Sequence, residues 1–136
     1  MSVDIRVRGY HLDIYQHVNN SRYLEFLEEA RWDFIGETGF DKAAKALGVA
    51  FVIVNININY RKPALVNDLL RVDVKVGRIG NKSCQFEQKI VKVENGVETD
   101  LIVDAVNTVC FMDLKTGVSV PIEGELLRIL EEAKAG

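Results

Sequence analysis

One apolar helical stripe in an otherwise β-rich chain constrains the fold most. Four apolar residues recur at helical spacing and share one face: Tyr23, Leu27, Ala30 and Phe34. Phe26 widens this stripe on one side and Leu24 on the other. The pattern predicts one long helix over about residues 20–35. Either Gly36 or Gly39 can end it, because glycine is favoured just beyond a helix C-terminus.

The segments around this helix have mostly the alternating, β-branched pattern of strands. The predicted strands are residues 3–7, 49–60, 70–76, 84–93 and 101–114, with short helices at 41–47 and 123–134. Residues 77–82 and 94–96 are predicted to be turns, so consecutive strands should form an antiparallel meander. Residues 101–114 are nearly all apolar and are predicted to form a central strand buried on both faces.

An antiparallel sheet of this size must cover one face, and only the helix over 20–35 is long and apolar enough to do so. The predicted class is therefore α+β, an antiparallel sheet wrapped around one long central helix. We find no linker, repeat or low-complexity tract, so residues 1–136 are predicted to form a single domain.

Composition excludes several functional classes. The net charge is -3 without a basic block, which argues against a nucleic-acid partner. No apolar run reaches the roughly 20 residues of a membrane span, and the N-terminus does not have a signal-peptide pattern. Cys84 and Cys110 are predicted to be buried free thiols, which favours a reducing, cytoplasmic setting. No metal-ligand set, P-loop or dinucleotide glycine pattern is visible, so no cofactor is expected.

The segment Tyr10–Asn20 concentrates chemically useful side chains just ahead of the predicted helix. It holds one acid, two histidines, two tyrosines and two asparagines. The first amides of a helix lack partners and can stabilise an oxyanion, and a nearby carboxylate can activate water or attack a carbonyl carbon. Asp13 is the acid of this segment. A plain turn role for Asp13, and packing roles for His11 and His17, are the alternatives from the residues alone.

Three strings carry a resemblance to a known family. DIYQHVNNSRYLEFLEEAR (residues 13–31) resembles the signature of the hot-dog-fold thioesterases related to 4-hydroxybenzoyl-CoA thioesterase. Together with VNININYRKPA (54–64) and DLKTG (113–117), it makes the chain similar to the bacterial long-chain acyl-CoA thioesterase III type, over about residues 2–132. The resemblance implies the hot-dog fold, an acyl-CoA substrate, and active sites at the interface of a homodimer or homotetramer.

The resemblance also implies roles for individual residues. Asp13 matches the family's catalytic aspartate, and Tyr23 matches a tyrosine ten residues later. Asn20 opens the helix, and its backbone amide is the expected donor to the thioester carbonyl. His17 matches a histidine of the plant acyl-carrier-protein thioesterases, whose motif is Asp-x-Asn-x-His, but Tyr15 replaces the asparagine. The role of His17, and the choice between nucleophile and general base for Asp13, stay open.

Coenzyme A carries several phosphate charges, so basic side chains should meet it. The candidate substrate-binding residues are Tyr15, Tyr23, Arg61, Lys82 and Ser83. Lys62 is a further basic residue beside Arg61, and each of these cations has the alternative of a solvated strand end. Some hot-dog thioesterases use an acid on the helix, so Glu28 and Glu29 compete with Asp13, although helix-face ion pairs fit them better.

The predicted function is hydrolysis of a fatty acyl-CoA. A non-catalytic acyl-CoA or lipid-binding module is the alternative from another class, because one fold serves many functions. The intact Asp13 favours the enzyme, since a binding module has no need of a carboxylate beside the acyl carbonyl. A thioesterase acting on acyl carrier protein is a third reading, although the composition offers no basic docking patch.

Overall fold

The computed structural model describes residues 1–136, which form six strands and three α-helices. The strands are β1 (Ser2–Arg6), β2 (Val49–Tyr60), β3 (Leu69–Asp73), β4 (Lys75–Ile79), β5 (Ser83–Glu94) and β6 (Val97–Asp113). The helices are α1 (Asn20–Glu37), α2 (Phe40–Leu47) and α3 (Gly124–Ala135), and a short 3-10 turn covers Gly9–His11. None of the helices has the length and apolar character needed to cross a bilayer.

All six strands belong to one sheet with the order β1-β3-β5-β6-β2, and β4 also pairs with β5. The pairs β1–β3, β3–β5 and β4–β5 are antiparallel. The predicted meander is wrong for β2, which lies beside β6 at one edge of the sheet instead of beside β3. Residues 61–68 connect β2 to β3. This connection is longer than a tight hairpin turn, so the two strands need not be neighbours in the sheet.

The strand predicted over 70–76 is two strands, and part of the predicted turn over 77–82 belongs to β4. The ladder is interrupted where the Asp73 carboxylate accepts the Lys89 N–H at 2.7 Å and the Val74 N–H donates to the Met1 carbonyl at 2.9 Å. The pairing of β4 with β5 also shifts register between Val76 and Ile79. Such a bulge bends the strand and interrupts its alternation, and the adjacent residues Val76 and Gly77 are both buried.

The chain forms two compact units, and α1, β2, β5 and β6 contribute residues to both. The first unit comprises residues 1–33, 58–74 and 88–105. Its core includes the predicted helical stripe as far as Ala30, with Phe26 beside it, together with sheet residues: Tyr23, Phe26, Leu27, Ala30, Leu70, Val72, Ile90, Ile102 and Val103. Leu24 remains 37% exposed, so its predicted place in the stripe is wrong. It is one residue, and so roughly 100°, from Tyr23 on the helix surface.

The second unit comprises residues 34–57, 75–87 and 106–136. Aromatic rings dominate its core: Phe40 contacts Phe51 and Phe111 with ring centroids 5.3 and 5.6 Å apart, and Phe34 contacts Phe86 at 5.4 Å. Helix α3 adds an apolar face of Leu126, Ile129 and Leu130. Offset and edge-to-face ring pairs of this kind stabilise a core beyond their buried area.

Strand β6 alternates between buried and half-buried residues along its second half, so it is not buried equally on both faces as predicted. One wet face is the usual condition of an antiparallel sheet. Cys84 on β5 is buried, and burial raises the pKa of its thiol to about 12, whereas Cys110 on β6 is half-buried. Both thiols are free, but the prediction that both are buried holds only for Cys84.

Candidate active site

The segment containing Asp13 folds into a tight turn closed on its carboxylate. Asp13 Oδ1 accepts the Tyr15 N–H at 2.8 Å and the His17 N–H at 3.4 Å. The Asp13 N–H in turn donates to the His17 carbonyl at 2.8 Å. Gln16 completes the reversal in the left-handed region, with φ 63°. These bonds fix the carboxyl group and leave Oδ2 without a protein hydrogen bond.

The base of this turn joins directly to the start of α1. Leu12 and Val18 form an isolated antiparallel bridge, and the Val18 N–H donates to the Ala64 carbonyl at 3.0 Å. Asn19 Oδ1 accepts the Ser21 N–H at 3.0 Å, so Asn19 is the N-cap residue. The N–H of Asn20, the first residue of α1, donates to no acceptor in the protein. It is therefore available to an oxygen of a ligand.

Five of the predicted site residues line one cleft of about 230 Å³. They are Asp13, His17, Asn20, Tyr23 and Arg61. Val18, Tyr60, Lys62 and Pro63 complete its walls. The sequence pattern alone does not identify Tyr60 as a site residue, although Tyr60 is the aromatic last residue of the alternating strand that precedes Pro63.

Tyr23 forms the buried wall of the cleft. Its hydroxyl oxygen accepts the Ala64 N–H at 3.0 Å, and its ring contacts that of Tyr60 with centroids 5.6 Å apart. Burial, and to a smaller extent the negative charge of Asp13, raise the pKa of Tyr23 above its ordinary value. Tyr23 is therefore a neutral phenol at physiological pH, with one hydroxyl hydrogen left to donate.

Two cations at the cleft are each paired with an acid on β6. Arg61 Nε donates to Asp104 Oδ2 at 2.7 Å, and Lys62 Nζ donates to Asp100 Oδ1 at 3.0 Å. These groups are partly exposed, so the pairs contribute little to stability. The side chains remain accessible to an incoming anion.

Three predicted substrate-binding residues do not line this cleft. The Tyr15 side chain is exposed, and the residue contributes to the turn only through its backbone N–H. Lys82 and Ser83 belong to the second unit, where they take part in backbone hydrogen bonds with Phe111 and Gly80. Lys82 is exposed and Ser83 is half-buried at the start of β5, and side chains at a strand end cannot be assigned to a site from spacing alone.

The two helix acids do not line the cleft either. Glu28 accepts the Trp32 indole N–H at 3.2 Å, one turn along α1. Glu29 lines a separate surface depression beside β1. No three His, Cys, Asp or Glu side chains are grouped so that they could hold a metal ion.

His11 packs as a structural residue at the start of the segment. Its Nδ1 accepts the Arg8 N–H at 2.8 Å, and its ring contacts those of Tyr10 and Phe26 with centroids 4.4 and 5.0 Å apart. Burial lowers the pKa of His11, and the positive charge of Arg22 lowers it further. Folding therefore favours the neutral imidazole of His11, whose Nδ1 can accept the Arg8 N–H.

This lowered pKa predicts a loss of stability in mild acid. Because the unfolded chain titrates near the ordinary value of 6.5, it binds the His11 proton more readily than the folded chain. Stability is therefore fully present above that value and falls as the pH drops through it. We expect the urea midpoint to decrease between about pH 7.5 and about pH 5.5, and less so in His11→Asn. The His17→Asn variant, which changes an exposed ring, should show the same decrease in urea midpoint as the wild type. An equal pH dependence of the urea midpoint in the two variants would contradict the assignment of this decrease to His11.

A family comparison identifies the class of protein. The Thioesterase-like superfamily matches residues 7–130, nearly the whole chain. The chain therefore belongs to the Thioesterase-like superfamily.

Particular relatives narrow the comparison. The chain is 47% identical over 132 residues to the long-chain acyl-CoA thioesterase FadM of Escherichia coli (strain K12), covering 97% of this chain and 98% of that protein. The crystal structure of YbaW, a probable thioesterase from Escherichia coli, superposes with a TM-score of 0.89 at 47% identity and covers 98% of each chain.

A 4-hydroxybenzoyl-CoA thioesterase shares the fold alone, with a TM-score of 0.85 at 14% identity over 96% of this chain and 97% of that one. The predicted α+β hot-dog fold and the predicted family are confirmed.

Proposed function

We propose that this protein hydrolyses long-chain fatty acyl-CoA to the free fatty acid and coenzyme A. One observation carries the proposal: a fixed carboxylate, Asp13, lines the same cleft as Asn20, whose N–H at the start of α1 lacks a protein acceptor. This arrangement occurs in a chain 47% identical to a long-chain acyl-CoA thioesterase.

The chemistry follows from the two groups. The thioester carbonyl oxygen accepts the Asn20 N–H, which stabilises the negative charge that develops as the carbon is attacked. Asp13 Oδ2 then either removes a proton from the attacking water or attacks the carbonyl carbon itself, forming an anhydride that water cleaves. The C–S bond breaks and the electron pair leaves on sulfur, which needs no strong general acid because a thiolate is a good leaving group.

Other cleft residues have supporting roles in this proposal. Tyr23 is a neutral donor that can hydrogen-bond the substrate, and His17 orients the water or the Asp13 carboxylate. Arg61 meets the phosphates of coenzyme A, as do Lys82 and Ser83, while Tyr15 contacts the substrate from the tip of the turn. Tyr15, Lys82 and Ser83 do not line the cleft, so their roles rest on the resemblance alone.

We propose further that the working enzyme is a cytoplasmic homodimer or homotetramer of one-domain chains without a cofactor. The edge position of β2 supports assembly, because its outer backbone groups are unpaired and Val52 and Val54 are exposed. Such an edge is suited to pairing with a second copy.

Free-thiol release from a series of saturated acyl-CoAs tests the proposed function. We expect kcat/KM to increase with chain length, by up to about fourfold for each further methylene that is buried. Tight binding of acyl-CoA without thiol release would instead indicate the non-catalytic binding module. Thiol release from acyl-acyl carrier protein but not from acyl-CoA would instead indicate a thioesterase that acts on acyl carrier protein.

A further inference from the structure

We propose that Asp104 is a positioning residue, which holds the guanidinium of Arg61 at the cleft so that its terminal nitrogens bind a phosphate of the substrate's coenzyme A. This inference rests on the proposed function and assigns Asp104 and Asn59 a part in it.

Arg61 is fixed to β6 through both its backbone and its side chain. Its N–H donates to the Ile102 carbonyl at 2.8 Å, while Nε donates to Asp104 Oδ2 at 2.7 Å. Fixing both ends of a long side chain removes much of the rotamer freedom that binding an anion would otherwise cost.

Asp104 is itself held in place. Its second oxygen, Oδ1, accepts the Asn59 amide N–H at 2.9 Å, and Asn59 lies near the end of β2, two residues before Arg61. The Arg61 and Asn59 hydrogen bonds lower the pKa of Asp104, so it stays ionised throughout the range in which an enzyme works. The three side chains thus form a two-strand clamp, Asn59–Asp104–Arg61.

The geometry of the clamp leaves the useful donors free. Asp104 occupies Nε, and neither terminal nitrogen of Arg61 has an acceptor in the protein. A guanidinium binds phosphate through such a pair of parallel N–H donors. The Arg61 side chain is 53% exposed and lines the cleft that contains Asp13, so a phosphate attached to a cleft-bound thioester can reach it.

The neighbouring cation provides an internal comparison. Lys62 is also paired, with Asp100, but its ammonium is a point charge on a flexible stem and Asp100 receives no second hydrogen bond. Orientation by an acid should therefore matter for Arg61 more than for Lys62.

The test compares two thioesters that differ in phosphate content, decanoyl-CoA and decanoyl-N-acetylcysteamine. In Asp104→Asn, we expect KM for decanoyl-CoA to increase by up to about fivefold with kcat nearly unchanged. KM for the phosphate-free thioester should stay at the wild-type value. In an Arg61→Gln background, the Asp104→Asn change should have no further effect on either substrate.

Three results would overturn the inference. A lower KM for decanoyl-CoA in Asp104→Asn would show that Asp104 competes with phosphate. An equal change for both thioesters would show a purely structural role, and a persisting effect in the Arg61→Gln background would separate Asp104 from Arg61. If the wild-type protein hydrolyses neither thioester, the proposed function itself fails.

Asp4→Asn is the matched control. It removes a comparable exposed cross-strand pair, in which Arg71 donates to Asp4 at 2.9 Å between β1 and β3. Its KM for decanoyl-CoA should equal that of the wild type, which shows that loss of a surface ion pair on this sheet does not by itself weaken substrate binding.

Discussion

Replacing Asp13 by asparagine is expected to lower kcat by about two to four orders of magnitude. Asparagine has the same shape, and its amide oxygen can still accept the Tyr15 and His17 N–H groups that close the turn. The loop should therefore keep its conformation and lose only the charge and basicity of the carboxylate. Thiol release from saturating decanoyl-CoA measures the change.

The chain contains a matched control for this substitution. Asp113 closes a similar turn, in which its Oδ1 accepts the Lys115 N–H at 2.8 Å and the Thr116 N–H at 3.0 Å. Asp113→Asn should leave kcat near the wild-type value, because Asp113 does not line the cleft. If Asp13→Asn retains a tenth or more of the wild-type kcat, then the carboxylate does not perform the chemistry and the helix acids return as candidates.

Truncating Leu27 to alanine is expected to destabilise the protein by about 2–5 kcal/mol. Leu27 is fully buried at the centre of the first unit's core, and the truncation removes its methyl contacts and leaves a cavity. The free energy of unfolding in urea measures the loss.

Leu24→Ala is the comparison variant, since it makes the same chemical change on the same helix at a residue that is 37% exposed. Its cost should be about 1 kcal/mol or less, because a partly exposed side chain loses little buried area. Equal costs for the two variants would contradict the assignment of the buried face of α1.

Local periodicity accounts for the elements that could be predicted from sequence. The stripe from Tyr23 to Phe34 located α1, because helical spacing is encoded in consecutive residues. The break between β3 and β4 could not be found in this way. It depends on a hydrogen bond between Asp73 and Lys89, which are far apart in sequence, and the alternating pattern continues across it.

The candidate site also contains residues that local sequence patterns reveal and residues that only contacts between distant strands bring together. Asp13 and Asn20 could be proposed together because one local turn connects them. Asn59 and Asp104 could not, because their contact depends on β2 lying beside β6, whereas a meander would have given β2 a different neighbour. The thioesterase class is confirmed by family and relatives, while the residue roles stay predictions.

The turn from Asp13 to His17 is closed by bonds among its own five residues. The orientation of the Asp13 carboxylate is therefore set by one short segment. It does not depend on which side chains line the cleft around it. Under the proposed mechanism, mutations in the surrounding strands can change which acyl groups are accepted without moving the catalytic carboxylate. In such an enzyme, substrate range and chemistry can evolve as separate traits.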